Sequence, residues 1–256
     1  MINRIKQIIK WGSTAVLALV LLGFANVDRN DARCWKFDVE VEHLSGLYFI
    51  DEAFVREQIH NMGQPVVGSL MDSLDITDMR SRIMQLPSVK EATVYKTVDG
   101  CVKVKVRQRS PLFRVITKNH GSYYVDNEGG RMPLSNQYTA RVPVITGNID
   151  VPFASAESTE REKELIQSCF DLIKYFEGNS FWSSQAEHFV VDANGDFVMI
   201  PRVGRAEIII GDETELDSKL RRLKAFMKEM SHKNNLNKYK RINVKYRDQV
   251  VCERFY

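Results

Sequence analysis

From Trp11 to Val27 the chain runs WGSTAVLALVLLGFANV, seventeen residues without a charge. Arg4, Lys6 and Lys10 precede this run, and Asp28, Arg29, Asp31 and Arg33 follow it. Seventeen residues sit at the short end of the ~17–25 that span a bilayer as a helix. A helix also satisfies its own backbone polar groups in lipid. Basic residues on the near side and mixed charge on the far side place the N-terminus in the cytoplasm. The pattern predicts a cytoplasmic leader over 1–10 and a membrane-spanning helix over 11–27. Two rival readings are a buried core helix, which a basic leader directly before so pure a run disfavours, and a cleaved signal peptide, with Gly23 and Ala25 as small residues before a cleavage site. Against the peptide, no A-x-A stands there and the run exceeds the usual ~7–15-residue apolar core of such peptides. With a spanning helix or a cleaved peptide, the residues from Asp28 onward are exported.

Beyond this segment the pattern alternates between periods of two and of three to four. FDVEVEHL, residues 37–44, alternates as a half-buried strand. DEAFVREQIHNMG follows, with Asp51 as helix cap, Phe54, Val55, Ile59 and Met62 on one face, and Gly63 at the end. A second helix is predicted in DITDMRSRIMQLPSV, burying Ile76, Met79, Ile83 and Leu86 and stopped by Pro87. VKEATVYKTVDGCVKVKVRQR then reads as a hairpin with a type I′ turn at Asp99-Gly100 and Val102, Val104 and Val106 inward. The order is β-α-α-β-β.

Pro111 interrupts that ladder and a second unit begins. Tyr123–Val125 and Met132–Leu134 flank a turn at Asn127–Gly130, and Pro133 fits only an edge or a bulge. Ser158 and Thr159 introduce a helix, with Glu162 placed for a capping box. Its buried stripe is Leu165, Ile166, Cys169, Phe170, Ile173 and Phe176. EHFVVDANGDFVMIP is a hairpin turning at Asn194-Gly195, and RAEIIIGD is a further strand. The helix ELDSKLRRLKAFMKEM buries Leu216, Leu220, Leu223, Phe226, Met227 and Met230. The chain closes on INVKYRDQVVCERFY. There Ile242, Val244 and Tyr246 share a face, a turn falls near Asp248-Gln249, and VVCERFY returns as a final strand. Such an edge strand can template another chain's backbone. Alternatively it completes its own sheet, with Phe255 and Tyr256 packed on their own domain.

Composition narrows the function classes. Hydrophobic content of 44%, charged content of 27% and a net charge of +3 describe a globular surface with both signs interspersed. Nucleic-acid binding calls for a concentrated basic face instead. The cysteines at 34, 101, 169 and 252 form no CxxC pair and lie in apolar-periodic segments, which reads as buried free thiols; their pairing stays open. His43, His60, His120, His188 and His232 lie in separate elements without metal-ligand spacing, and no nucleophile or phosphate-loop motif occurs. Glu40 and Glu42 lie on one solvated strand face, and Glu128-Gly129-Gly130 is a hairpin turn. The reading is non-enzymatic, with no cofactor, metal, nucleic acid or small-molecule substrate.

Several stretches carry a resemblance. VKVRQRSPLF, residues 104–113, resembles the V-x-E-R-x-P run that ends the POTRA domain of the bacterial cell-division family FtsQ (DivIB), with Gln108 in place of the Glu. VKEATVYK is similar to that domain's strand after its second helix. Within HGSYYVDNEGGRMPLSNQYTARVPVITG, residues 120–147, Y-x-V-D-x-x-G, P-L and V-P-x-I-x-G resemble the same family, as does GDETELDSKL. The order of these motifs is what makes the likeness specific. It implies an α+β protein: a single transmembrane helix, a POTRA domain over 37–110, and a β-rich C-terminal domain with two helices over 111–256.

The resemblance also implies a role. FtsQ-like proteins are inner-membrane division scaffolds with a periplasmic bulk, and their terminal strands bind a segment of FtsB, itself coiled with FtsL, by strand addition. Carried over by position, Lys245, Tyr246, Val250, Val251, Cys252, Glu253, Arg254 and Phe255 line that contact. Tyr246 and Phe255 are its anchors, Glu253 and Arg254 set charge register, and removing the N–H of Val251 is expected to block addition. The POTRA strand edge is a second, recruiting surface. The family's turn often has glycine after its Asn, Asp or Ser; Gln249 stands here, which predicts a longer or bulged connection. Two other readings remain. A POTRA-bearing secretion or outer-membrane assembly factor needs further POTRA units or a barrel, and an exported hydrolase needs the leader cleaved.

Overall fold

The computed structural model describes residues 11–13, 15–20, 32–42, 46–61, 63, 65–232 and 236–255. Residues 11–13 and 15–20 are helical and exposed; position 14 and positions 21–27 of the expected span lie outside the described residues. Among the described residues no helix is long and apolar enough to cross a membrane. His43 and Met62, assigned above to a strand and a helix face, and Tyr256 also lie outside the described residues. The chain divides into two compact units, Met1–His43 with Ile50–Gln108, and Leu44–Phe49 with Arg109–Tyr256.

The first unit follows the order β1 (Lys36–Glu42), α1 (Glu52–His60), α2 (Ile76–Met84), β2 (Val89–Lys96) and β3 (Cys101–Gln108). Its sheet order is β1-β3-β2, with β3 parallel to β1 and antiparallel to β2. Asp51 caps α1 by accepting from the Phe54 amide at 2.7 Å. Asp75 caps α2 through the Thr77 and Asp78 amides at 2.9 and 3.0 Å. These carboxylates satisfy amides that have no partner within the helix. Val55 and Ile59 of α1 and Met79 and Ile83 of α2 meet Val102, Val104 and Val106 of β3 in one core. Phe54, expected on the buried face, is more than a third exposed.

The hairpin turn differs from the expected type I′. Gly100 has φ +83° and Asp99 keeps a negative φ. The Gly100 amide donates to the Thr97 carbonyl and the Thr97 amide to Cys101. Thr97–Gly100 is therefore a four-residue loop with one left-handed residue, the form in which a glycine bulge corrects the strand twist. Thr97 Oγ1 adds a bond from the Cys101 amide, which holds the longer loop.

The second unit is built on one sheet, ordered β12-β11-β10-β9-β8-β7-β4-β5-β6 among the described residues. Its strands are β4 (Pro111–Ile116), β5 (Ser122–Asp126), β6 (Arg131–Met132), β7 (Val144–Gly147), β8 (Ala186–Val191), β9 (Phe197–Pro201), β10 (Glu207–Gly211), β11 (Tyr239–Asn243) and β12 (Val251–Arg254). The helices α3 (Glu160–Glu177), α4 (Ser180–Gln185) and α5 (Leu216–His232) connect them. Thr159 and Glu162 form the expected capping box. Ile166, Cys169, Leu172, Ile173 and Phe176 of α3 and Leu216, Leu220 and Leu223 of α5 pack on one sheet face. That face carries Phe113, Val115, Tyr123, Val125, Ile145, Phe189, Val191, Phe197, Met199, Ile208, Ile210 and Ile242. The alternation of these positions is what a sheet buried by helices on one side requires. Tyr124 and Met132 point the other way and close a smaller core with Phe49 and Ala140.

Two devices lock the geometry. Asp126, 2% exposed, binds Arg109 at 2.7 Å and accepts from the Glu128 and Gly130 amides, so its charge is paired and hydrogen-bonded. Gly147 has φ +99°, and a Cβ there would collide with the Val191 carbonyl oxygen, so the β7–β8 pairing needs glycine. His188 shares a 2.8 Å hydrogen bond with Thr146.

Candidate partner-binding site

The outermost strand on one side of the large sheet is β12. It pairs with β11 in antiparallel register, Asn243 opposite Val251, Ile242 opposite Cys252, Arg241 opposite Glu253 and Tyr239 opposite Arg254. The register slips by one residue at Lys240, so the bulge lies on β11 and β12 stays regular. Beyond the strand, the Phe255 amide donates to the Lys238 carbonyl at 3.1 Å. Backbone groups alternate sides along a regular strand. The N–H and C=O of Glu253 and Val251 therefore face β11, and those of Cys252 and Arg254 face away from the sheet. Val251 does not present the outward N–H that its position suggested; Cys252 and Arg254 do. The difference comes from the phase of the pairing, which no local pattern encodes.

Side chains alternate across the faces. Val250 and Cys252 are half-buried against the core below α5, and burial pushes the Cys252 thiol pKa up while the Arg254 charge draws it down. The Arg254 guanidinium lies over the Tyr239 ring at 5.6 Å. On the opposite face Val251 and Phe255 are each about half exposed, and Glu253 lies 3.6 Å from Lys240. The strand thus offers two outward backbone pairs, with Arg254 exposed on one face and Val251, Glu253 and Phe255 on the other.

The connection from Val244 to Val250 has its own supports. The Val244 amide donates to Ile209 on β10, and Arg222 of α5 donates to the carbonyls of Val244 and Tyr246, both at 3.0 Å. Arg247 binds Glu215, and Asp248 takes φ +57°, so the turn reverses with a left-handed residue other than glycine. This is the longer connection that Gln249 implied. Lys245 binds both oxygens of Asp196, at 2.7 and 2.8 Å, across Gly211, and this bond raises its pKa. Its side chain therefore lies on the side of β11 remote from β12, apart from the other candidate residues. Tyr246 is half exposed beside the turn. Arg222 had no signal in the sequence, because the carbonyls it binds lie 22 and 24 positions away.

Among the described residues no group of three or more His, Cys, Asp and Glu is placed to hold a metal ion. Cys34, Cys101, Cys169 and Cys252 are free thiols, the first three buried.

Family models match both units: one described as FtsQ/DivIB, C-terminal related, over residues 110–253, and one for a POTRA-like domain over residues 32–107. The first covers more than half of the chain. The chain belongs to the FtsQ/DivIB family. No curated protein matches it. Membership makes this a cell-division protein of a family of division scaffolds whose partners are other division proteins. In this FtsQ/DivIB chain the family-matched region includes β12 through Glu253.

Proposed function

We propose that this protein is a non-enzymatic division scaffold, held in the inner membrane by residues 11–27 with its bulk in the periplasm. It captures an extended segment of an FtsB-like partner, coiled with an FtsL-like one, by strand addition on β12. The observation that carries this reading is the outward backbone of Cys252 and Arg254 at the sheet's edge. Proteins usually blunt such an edge because it templates other chains. This one is regular and flanked by the exposed Val251 and by Phe255, an exposed aromatic anchor. Ladder bonds give the affinity of strand addition, and alternate side chains give its specificity. A shared membrane raises the effective concentration of partner and scaffold, so a modest intrinsic affinity suffices.

Photoreactive residues placed at Tyr246, Val251 and Phe255 in cells test the reading. Crosslinks to an FtsB-like protein from Val251 and Phe255 support it. Crosslinks only to other surfaces, or none from β12, refute it.

A further inference from the structure

The most exposed apolar side chains of the first unit lie near the segment by which the chain enters it. Among the described residues of this unit, 32–42 and 50–108, the large apolar side chains more than half exposed are Trp35, Val67 and Val98, and Val98 is fully exposed. Trp35 and Val98 meet at the β2–β3 loop. The Trp35 indole N–H donates to the Asp99 carbonyl at 2.6 Å, and its ring carbon Cδ1 lies 3.1 Å from where a Cβ on Gly100 would sit. The ring thus lies against the loop with its polar atom satisfied, and what it shows to solvent is carbon. Val67 lies beside the same strand of chain, since Gly68 donates to the Cys34 carbonyl and accepts from Arg33. Arg33 and Lys36, both exposed, bring positive charge to the patch, set against the Asp38 carboxylate 3.6 Å from Lys36 and Asp99 in the loop.

The position of this patch relative to a bilayer is limited by covalent reach. Four residues, 28–31, separate Val27, the last residue of the apolar run, from Ala32. At full extension they carry the chain no more than about 18 Å. Ala32 is bonded into the patch, its carbonyl accepting from the Met71 amide and Arg33 bridging Leu70. Isolated exposed apolar residues are ordinary. Three around the point where a membrane tether enters are a placement with a use. Trp is favoured at the boundary of lipid and water, and basic residues next to it bind anionic headgroups.

We infer that the loop Thr97–Gly100 with Trp35 and Val67 is a lipid-contact surface, which seats the first unit on the headgroup layer of the bilayer its own N-terminal segment enters. Val98 and Trp35 enter the boundary of headgroup and acyl chain, and Arg33 and Lys36 meet lipid phosphates. The inference rests on the membrane anchor proposed above. The contact restricts rotation of the unit about its tether.

The test uses the full chain in vesicles of phosphatidylethanolamine and phosphatidylglycerol. An environment-sensitive probe is attached through Val98→Cys in a Cys252→Ser background. A second preparation carries it at Gln85→Cys, which precedes the other end of β2, seven strand positions or about 23 Å from the loop end. Flotation reports anchoring, and lipids brominated near the headgroup report contact. The expected result is flotation with about a twofold loss of emission from the probe at 98 and little loss at 85. A chain that floats and is folded, with equal emission at both sites, overturns the lipid contact and leaves the anchor standing. A chain that does not float overturns the anchor and the contact together.

Discussion

The amide of Phe255 donates to the carbonyl of Lys238 at 3.1 Å, and that one bond sets the phase of the final strand. It fixes which residues of β12 are turned to β11 and which to the open edge. A proline scan reads the same alternation. Cys252→Pro is expected to remove an outward N–H and weaken capture of an FtsB-like segment by at least about tenfold, the worth of roughly one well-placed ladder bond. Val251→Pro removes an inward bond instead, so its first effect is fraying of β12. Affinity by calorimetry and strand integrity by amide exchange separate the two.

Truncation after Asp248 deletes β12 entirely. It is expected to abolish partner pull-down while the sheet up to β11 persists, because Val244 and the Tyr246 carbonyl are held by Ile209 and Arg222. Retained secondary structure by circular dichroism with lost capture is the expected pair of readings.

Charge reversal at the edge acts through the two faces differently. Glu253→Lys puts a third cation beside Lys240 and Arg241 and is expected to reduce capture, with an effect that shrinks as salt is added. Arg254→Glu also loses the contact over Tyr239, worth about 0.5–1 kcal/mol at such an exposed site, so its penalty persists at high salt.

Gly147→Ala is expected to be the most damaging small substitution in the sheet. It combines a left-handed backbone with a Cβ driven against Val191 and Val190. Strain and overpacking together predict a loss of about 2–5 kcal/mol in urea unfolding. Gly211→Ala shares the left-handed backbone, φ +83°, but its nearest neighbours are side-chain atoms of Lys245 rather than backbone, and it is expected to cost less.

Acid stability has a named contributor. Burial alone would raise the Asp212 pKa, yet the Lys219 ammonium at 2.6 Å and the Thr214 hydroxyl hold it below its usual value. A depressed carboxylate stabilises the fold above its unfolded pKa, and that contribution is lost as pH falls through the folded pKa, here below 3.8. Asp212→Asn is expected to flatten the fall in stability across that acid window. Unfolding midpoints for both chains, measured from neutral pH down to about pH 2.5, check it.

The sequence made elements legible wherever the reason for them was local. Asp51, Asp75 and the Thr159–Glu162 pair mark helix starts because caps act within three residues. Val102, Val104 and Val106 mark an inward face because strand alternation is local too. The Asp99-Gly100 turn was misread because type I′ and bulged loops share a glycine and differ in the residue before it. At the site, the eight candidate positions fall on β12, at its ends or in the connection before it, but Lys245 turns toward Asp196. Its partner lies 49 residues away and leaves no trace in spacing. The outward phase at Cys252 and Arg254 was illegible for a related reason: it depends on the Lys240 bulge in the neighbouring strand.

Residue-resolved amide exchange on β12, with and without an FtsB-like segment, tests the central claim most directly. In the free protein, Val251 and Glu253 are expected to be protected and Cys252 and Arg254 to exchange freely. Adding the segment is expected to slow Cys252 and Arg254 by at least about tenfold, as new ladder bonds form. Unchanged exchange at these two amides with the segment bound, or protection already present without it, would contradict the account.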